Sequence, residues 1–228
     1  MAQREIVLCS PVRTELGTVV IRAAMERAGL DPAEVDGVVM GNVIQAGNKM
    51  NPARQAAIGG GVPVSAPAMT VNRVCGSGAQ AIASAAQEIR LGEADVMIAG
   101  GMENMDRAPY LLPNGRWGMR MGDGQVLDSM LLDGLNDAFS GEHSGWHTED
   151  LVTKLQISRA DQDAWALRSQ TRFSAAQAAG LFEVEIAPVQ VPSRKGPVAF
   201  LKDEHNRPDT TADSLGKLRP AFRKDGSI

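Results

Sequence analysis

The run from Met69 to Ala99 constrains the fold of this chain more than any other segment. Met69 to Val74 reads as a strand, Gly78 to Leu91 as an alanine-rich helix, and Asp95 to Ala99 as a buried strand stopped by Gly100-Gly101. The helix has few large side chains, so it can pack very closely and suits a central buried position. The same alternation appears upstream. A short strand is expected over Glu5 to Ser10, a helix over Leu16 to Ala28 closing at Gly29, and a strand over Val35 to Met40. Asn51-Pro52-Ala53-Arg54-Gln55 opens a further helix, with a polar residue before a proline in its first turn, and the glycines at 59 to 61 end it. Repeated strand and helix alternation implies a layered α/β structure.

Beyond Met105 the texture changes. Pro109, Pro113, Gly115, Gly118, Gly122 and Gly124 interrupt the chain, and a loop-rich region is expected there. Ser158 to Ala179 offers a capped helix, with Ser158 and Asp161 as a loose capping-box variant. Val184 to Val191 resembles a strand, and the residues from Arg194 to Ile228 are polar and basic in patches.

Composition narrows the function classes. With 228 residues, 43% of them hydrophobic, the chain can bury a real core. A formal net charge of −4 supplies no global attraction to nucleic acid or to an anionic membrane, so anion binding must come from a local patch. Cys9 and Cys75 are too few and too far apart for a disulfide framework or a CxxC metal site, which favours a reducing compartment. The sequence shows neither a secretory signal nor an apolar run near the roughly 18 residues of a membrane span, and a cytoplasmic location is expected.

The chemistry concentrates at Val71-Asn72-Arg73-Val74-Cys75-Gly76-Ser77-Gly78, which sets a cysteine between a strand and a helix. Gly76 and Gly78 permit a sharp turn and close approach of a substrate, and the first N–H groups of the helix favour a thiolate there. Two plainer readings stand beside this one. Cys75 can be a small buried hydrophobe next to a glycine turn. Alternatively, Gly76-x-Gly78-x-x-Ala81 with Glu103 matches a dinucleotide fingerprint, although Asn72 and Arg73 sit poorly in a buried parallel strand.

The segment Asn72 to Ala81 resembles the nucleophile motif of thiolases, and Gly100-Gly101-Met102-Glu103-Asn104-Met105 is similar to the glycine-methionine-glutamate motif that follows it in that family, at the family's spacing. The likeness continues through Ser10-Pro11-Val12-Arg13-Thr14, Gly41-Asn42-Val43, Asn51 to Gln55, Met121-Gly122-Asp123 and Leu218-Arg219-Pro220-Ala221-Phe222, and so covers essentially the whole chain.

This resemblance implies the layered αβαβα thiolase fold, with an amino-terminal catalytic half over residues 1–107 and a CoA-covering loop domain over 108–228. It implies that Cys75 attacks a thioester or β-ketothioester carbonyl, holds the acyl group and passes it to a second thiol or to an acetyl-CoA carbanion, with no metal or redox cofactor. It places His143, Arg207, Ser214, Ala221 and Phe222 against CoA, and Arg194, Lys195, Lys217, Arg219, Arg223 and Lys224 extend the basic patch. His147 and His205 receive no role.

The resemblance further implies acyl-CoA and CoA as partners, fatty acid metabolism as the setting, and a homodimer or homotetramer. Several features depart from the family pattern. Ser144 stands where a methionine is usual, which alters the acyl end of the pocket, and a glycine-containing loop is missing between Thr14 and Glu15. The family's carboxy-terminal histidine, asparagine motif and second cysteine have no counterparts here. A non-catalytic CoA-binding or assembly protein of the same fold is the competing expectation.

Overall fold

The computed structural model describes residues 13–228. The strand expected over Glu5 to Ser10, with Cys9, lies outside the described residues. The chain forms two compact units: one runs up to Gly134 and takes in Ala187–Leu201, the other comprises Leu135–Ile186 and Lys202–Ile228. Residues 108–134 and 187–201, expected with the loop domain, therefore pack with the first unit.

The first unit is built on a three-stranded parallel sheet of β1 (Gly37–Gly41), β2 (Ala68–Val71) and β3 (Met97–Gly101), in the order β2-β1-β3. Every residue of the central strand β1 is buried, and its period-2 alternation sets the layers. Val38 and Met40 join one apolar cluster with Leu16, Ile21 and Met25 of α1 (Arg13–Ala28) and Ala53, Ala56 and Ala57 of α2 (Pro52–Gly60). Val39 joins a second cluster with Ala81 and Ala85 of α3 (Ser77–Leu91). Helices thus cover both faces, as a parallel sheet requires. Ile21, Val38 and Met40 are each 1% exposed, and burying side chains of this kind contributes about 1.5–3 kcal/mol apiece.

Local chemistry fixes the helix starts. The Asn51 side chain accepts the Arg54 N–H at 3.2 Å and Pro52 takes the first position of α2, as the sequence predicts. The Thr70 hydroxyl accepts the Ala53 N–H at 3.0 Å and so ties that helix start to β2.

Three expectations need correction. Gly100 and Gly101 do not stop β3. They continue it, paired with Met40 and Gly41, because the sheet ladder satisfies their backbone groups. The α3 helix does not bury itself all round: Ser77, Ala81 and Ala85 face the sheet, while Ile82 and Leu91 remain 60% and 77% exposed. Residues 184–188 are turn and irregular chain rather than strand.

The loop-rich stretch holds the short antiparallel pair β4 (Tyr110–Leu111) and β5 (Leu127–Asp128), with single 3-10 turns at Met105–Arg107 and Gly115–Trp117. The strand near residue 190 is limited to β6 (Val189–Val191), which pairs antiparallel with β7 (Val198–Phe200) and adds Val189 to the first cluster.

The second unit carries α4 (Ser144–Leu155), α5 (Arg159–Ala178) and the short α6 (Ala212–Gly216). Ser158 caps α5 by accepting the Asp161 N–H at 3.1 Å, as the capping pattern predicts. At the next residue the Arg159 guanidinium donates to the carbonyls of Leu215 at 2.8 Å and Leu218 at 3.2 Å, which fastens the segment after α6 to α5. Among the described residues no helix is long and apolar enough to cross a membrane, and no group of three or more His, Cys, Asp or Glu side chains is placed to hold a metal ion.

Candidate active site

Cys75 is exposed and sits immediately before Gly76, the N-cap of α3. No side chain caps that helix start, so its N-terminal partial positive charge is not masked by a capping group. The preceding turn is tightly held. Val74 donates its N–H to the Asn72 side chain at 2.9 Å, and the Ser77 hydroxyl accepts the Arg73 N–H at 2.8 Å while donating to the Val74 carbonyl at 2.6 Å. Val74 itself has φ +48°, a left-handed conformation that is costly for a β-branched residue. A strained residue fixed by two side-chain bonds, with a third holding Arg73 before it, therefore adjoins the cysteine.

The ends of the three strands are knotted behind this turn. Buried Asn42, just after β1, donates its side-chain amide to the Met102 carbonyl at 3.0 Å and its backbone N–H to the Val71 carbonyl at 3.1 Å. The Glu103 carboxylate accepts the N–H groups of Val43 at 2.8 Å and Ile44 at 3.3 Å. Asn72 donates to the Val43 carbonyl at 3.3 Å, so Glu103, the loop after β1 and the Cys75 turn form one hydrogen-bonded chain. Gly41 permits the close approach of α3: a Cβ there would lie 2.6 Å from the Ser77 carbonyl carbon.

The other sequence-predicted site residues all belong to the second unit. His143 is the N-cap of α4, and its Nδ1 accepts the Gly145 N–H at 3.0 Å, which leaves the proton of a neutral ring on Nε2. The Phe222 ring stacks on His143 with centroids 4.8 Å apart and planes inclined by 26°. Gly145 makes this possible, since a Cβ there would overlap the Phe222 ring.

Ala221 is exposed beside Phe222 and donates its N–H to the Ile228 carbonyl at 2.6 Å. Arg207 is exposed, and its N–H is held at 2.8 Å by the Gln170 side-chain oxygen, which also accepts from Asn206 at 2.8 Å. Ser214 closes a capping box with Thr211 at the start of α6. The structure thus joins His143, Ala221 and Phe222 directly, while Arg207 and Ser214 are placed by separate contacts.

The basic run does not act as one patch. Arg194 and Lys195 belong to the β6–β7 hairpin of the first unit. Lys217 pairs with Asp213 at 2.5 Å, and Arg223 pairs with Asp150 at 2.7 Å while its guanidinium lies 4.5 Å from the Trp146 ring centre. Partners nearby in space or one helical turn away have taken up these charges.

Sequence reasoning missed α4, and with it Glu149. Gly145 and Glu149 are four residues apart and both buried, so they share one helical face, and that spacing was the available signal. Glu149 accepts the backbone N–H groups of Ser227 and Ile228, at 2.9 Å and 2.8 Å, and these bonds hold its carboxyl below the usual carboxylate range.

Comparison with known proteins agrees with this geometry. The family model described as thiolase, N-terminal domain, matches residues 6–228. An acetyl-CoA acetyltransferase of Pseudomonas aeruginosa is 53% identical over 215 residues, 94% of this chain and 55% of that protein. A probable acetyl-CoA acyltransferase of Staphylococcus epidermidis is also 53% identical over the same shares, and an acetyl-CoA acetyltransferase of Allochromatium vinosum is 49% identical over 97% of this chain and 56% of its own length. The chain thus spans about half the length of the curated relatives it matches. With the match running from residue 6 to residue 228 and a parallel sheet covered by helices on both faces, this chain belongs to the thiolase family and carries the α/β fold of its N-terminal domain.

Proposed function

We propose that this chain supplies the nucleophile and part of the CoA site of an acetyl-CoA acyltransferase. The observation that carries the reading is the exposed Cys75 at the uncapped start of α3, set by a strained turn that the Asn72 and Ser77 side chains fix. A sulfur at such a position attacks the carbonyl carbon of an acyl-CoA, and the bond from that carbon to the CoA sulfur breaks as the new thioester forms. The acyl group then passes to an acetyl-CoA carbanion or, in the reverse direction, to the thiol of CoA.

His143, Ala221 and Phe222 are proposed to contact the adenine and pantetheine parts of CoA, with Phe222 presenting a ring for packing. Arg207 and Ser214 are proposed to serve the phosphates. The histidine, asparagine and second cysteine that the family uses for proton transfer and oxyanion stabilisation would come from residues outside these 228. We assign the catalytic half to residues 1–107 and the CoA cover to 108–228, acting in a cytoplasmic homo-oligomer in fatty acid metabolism without a resident metal or redox cofactor.

Intact-mass measurement after incubation with acetyl-CoA tests the reading, with the carboxy-terminal half of the Pseudomonas aeruginosa relative added. An acetyl adduct that disappears in Cys75→Ser is expected. No Cys75-dependent adduct would sink the catalytic assignment, and retained CoA binding in that case would favour a non-catalytic CoA-binding protein.

A further inference from the structure

We infer that Glu149 is a positioning residue that sets Ala221 and Phe222 for CoA, an assignment that rests on the CoA reading above. Glu149 is 4% exposed, and a buried carboxylate is costly unless its oxygens are satisfied. Here they are satisfied almost wholly by the segment that carries Phe222. Oε1 accepts the N–H groups of Ser227 and Ile228, and Oε2 accepts the Ser227 N–H at 2.9 Å and the Ser227 hydroxyl at 3.4 Å. Gly226 admits the carboxylate, since a Cβ there would collide with Oε1.

From Glu149 the constraint passes to the site in one step. The Ile228 amide is fixed by the carboxylate, and the Ile228 carbonyl accepts the Ala221 N–H at 2.6 Å. Residues 221–228 are thereby closed into a loop whose near end presents Ala221 and Phe222. On α4, Gly145 lies one turn before Glu149 and receives the Phe222 ring. One helical face therefore holds both ends of the loop, at Gly145 by packing and at Glu149 by charge-assisted hydrogen bonds.

Three other contacts hold the neighbourhood, and in one of them Gln162 donates to the Ser227 hydroxyl at 3.0 Å. Arg223 pairs with Asp150 at 2.7 Å, and Arg159 reaches the Ser227 carbonyl at 3.4 Å. Of the contacts named here, only those of Glu149 secure the backbone N–H groups of both Ser227 and Ile228.

A double-mutant cycle on the 228-residue chain tests the assignment, with CoA titrated by calorimetry into wild type, Glu149→Ala, Phe222→Ala and the double variant. Each single variant is expected to weaken CoA binding by about tenfold, and the double variant to be no weaker than Phe222→Ala alone. In NMR spectra the Gly145 α-protons, shifted upfield under the Phe222 ring in wild type, should return toward ordinary values in Glu149→Ala.

Glu149→Gln keeps the side chain's size and one good acceptor and should restore most of the affinity. It also carries the test if the alanine variant does not fold. Wild-type affinity in Glu149→Ala (or in Glu149→Gln and Glu149→Asp alike, where the alanine variant is unfolded), multiplicative losses in the cycle, or an unmoved Gly145 signal would each overturn the positioning role while leaving the CoA reading standing. Absence of CoA binding by wild type would overturn both.

Discussion

The Glu103 carboxylate accepts the Val43 N–H at 2.8 Å and so binds the loop after β1 to the residues after β3. Removing one partner of a part-buried charged hydrogen bond leaves donors unsatisfied, at about 1–3 kcal/mol. Glu103→Ala should lower stability by about that amount in urea unfolding, and Glu103→Gln by less. Because Asn72 donates to the Val43 carbonyl, the alanine variant should also change the rate at which iodoacetamide alkylates Cys75.

Gly41→Ala tests the approach of α3 to the sheet. The added methyl would lie 2.6 Å from the Ser77 carbonyl carbon and 2.7 Å from the Gly78 nitrogen, which are backbone atoms that cannot swing aside. Overpacking of this kind costs about 1–3 kcal/mol. A lower melting temperature is expected, together with shifted amide resonances for Gly76 to Gly78.

Val74→Asn should stabilise the chain. At φ +48° a β-branched residue is strained, whereas asparagine tolerates this region, and the left-handed conformation costs an ordinary residue about 1–2 kcal/mol. A higher melting temperature by calorimetry is the expected result; an unchanged or lower one would show that the turn stores no relievable strain.

Asp36 gives a pH signature. Its side chain accepts the N–H groups of Val96 at 2.9 Å and Asp95 at 2.7 Å, and these bonds, Val96 first, lower its pKa. A depressed folded pKa means that the contribution is fully present above the unfolded value of about 3.9 and is lost as pH falls through the lower folded value. The stability advantage of wild type over Asp36→Asn, read from urea midpoints, should therefore be constant near neutrality and shrink below about pH 4.

Much of the first unit was legible because local signals and burial agree there. Asn51-Pro52 set the start of α2 and the apolar run ending at Met40 marked β1, while in the second unit Ser158 set the start of α5. Gly100-Gly101 misled because a glycine pair reads as a break, whereas pairing with Met40 and Gly41 supplies the ladder that holds it extended. The α4 helix was missed because His143-Ser144-Gly145 looks like a loop. Its cap is a histidine Nδ1 rather than the usual hydroxyl or carboxylate, so no familiar start signal marks it.

The sequence alone determined the layered α/β class and Cys75 as the residue to examine, because these rest on short-range order, and its likeness to thiolases in motifs along the whole chain gave the family. Only the tertiary structure decided that Phe222 stacks on His143, that Glu149 fastens the loop presenting Phe222, and that Lys217 and Arg223 are already paired. Residues 149 and 227 lie 78 apart, and no local pattern reports a contact that exists only when two distant stretches pack.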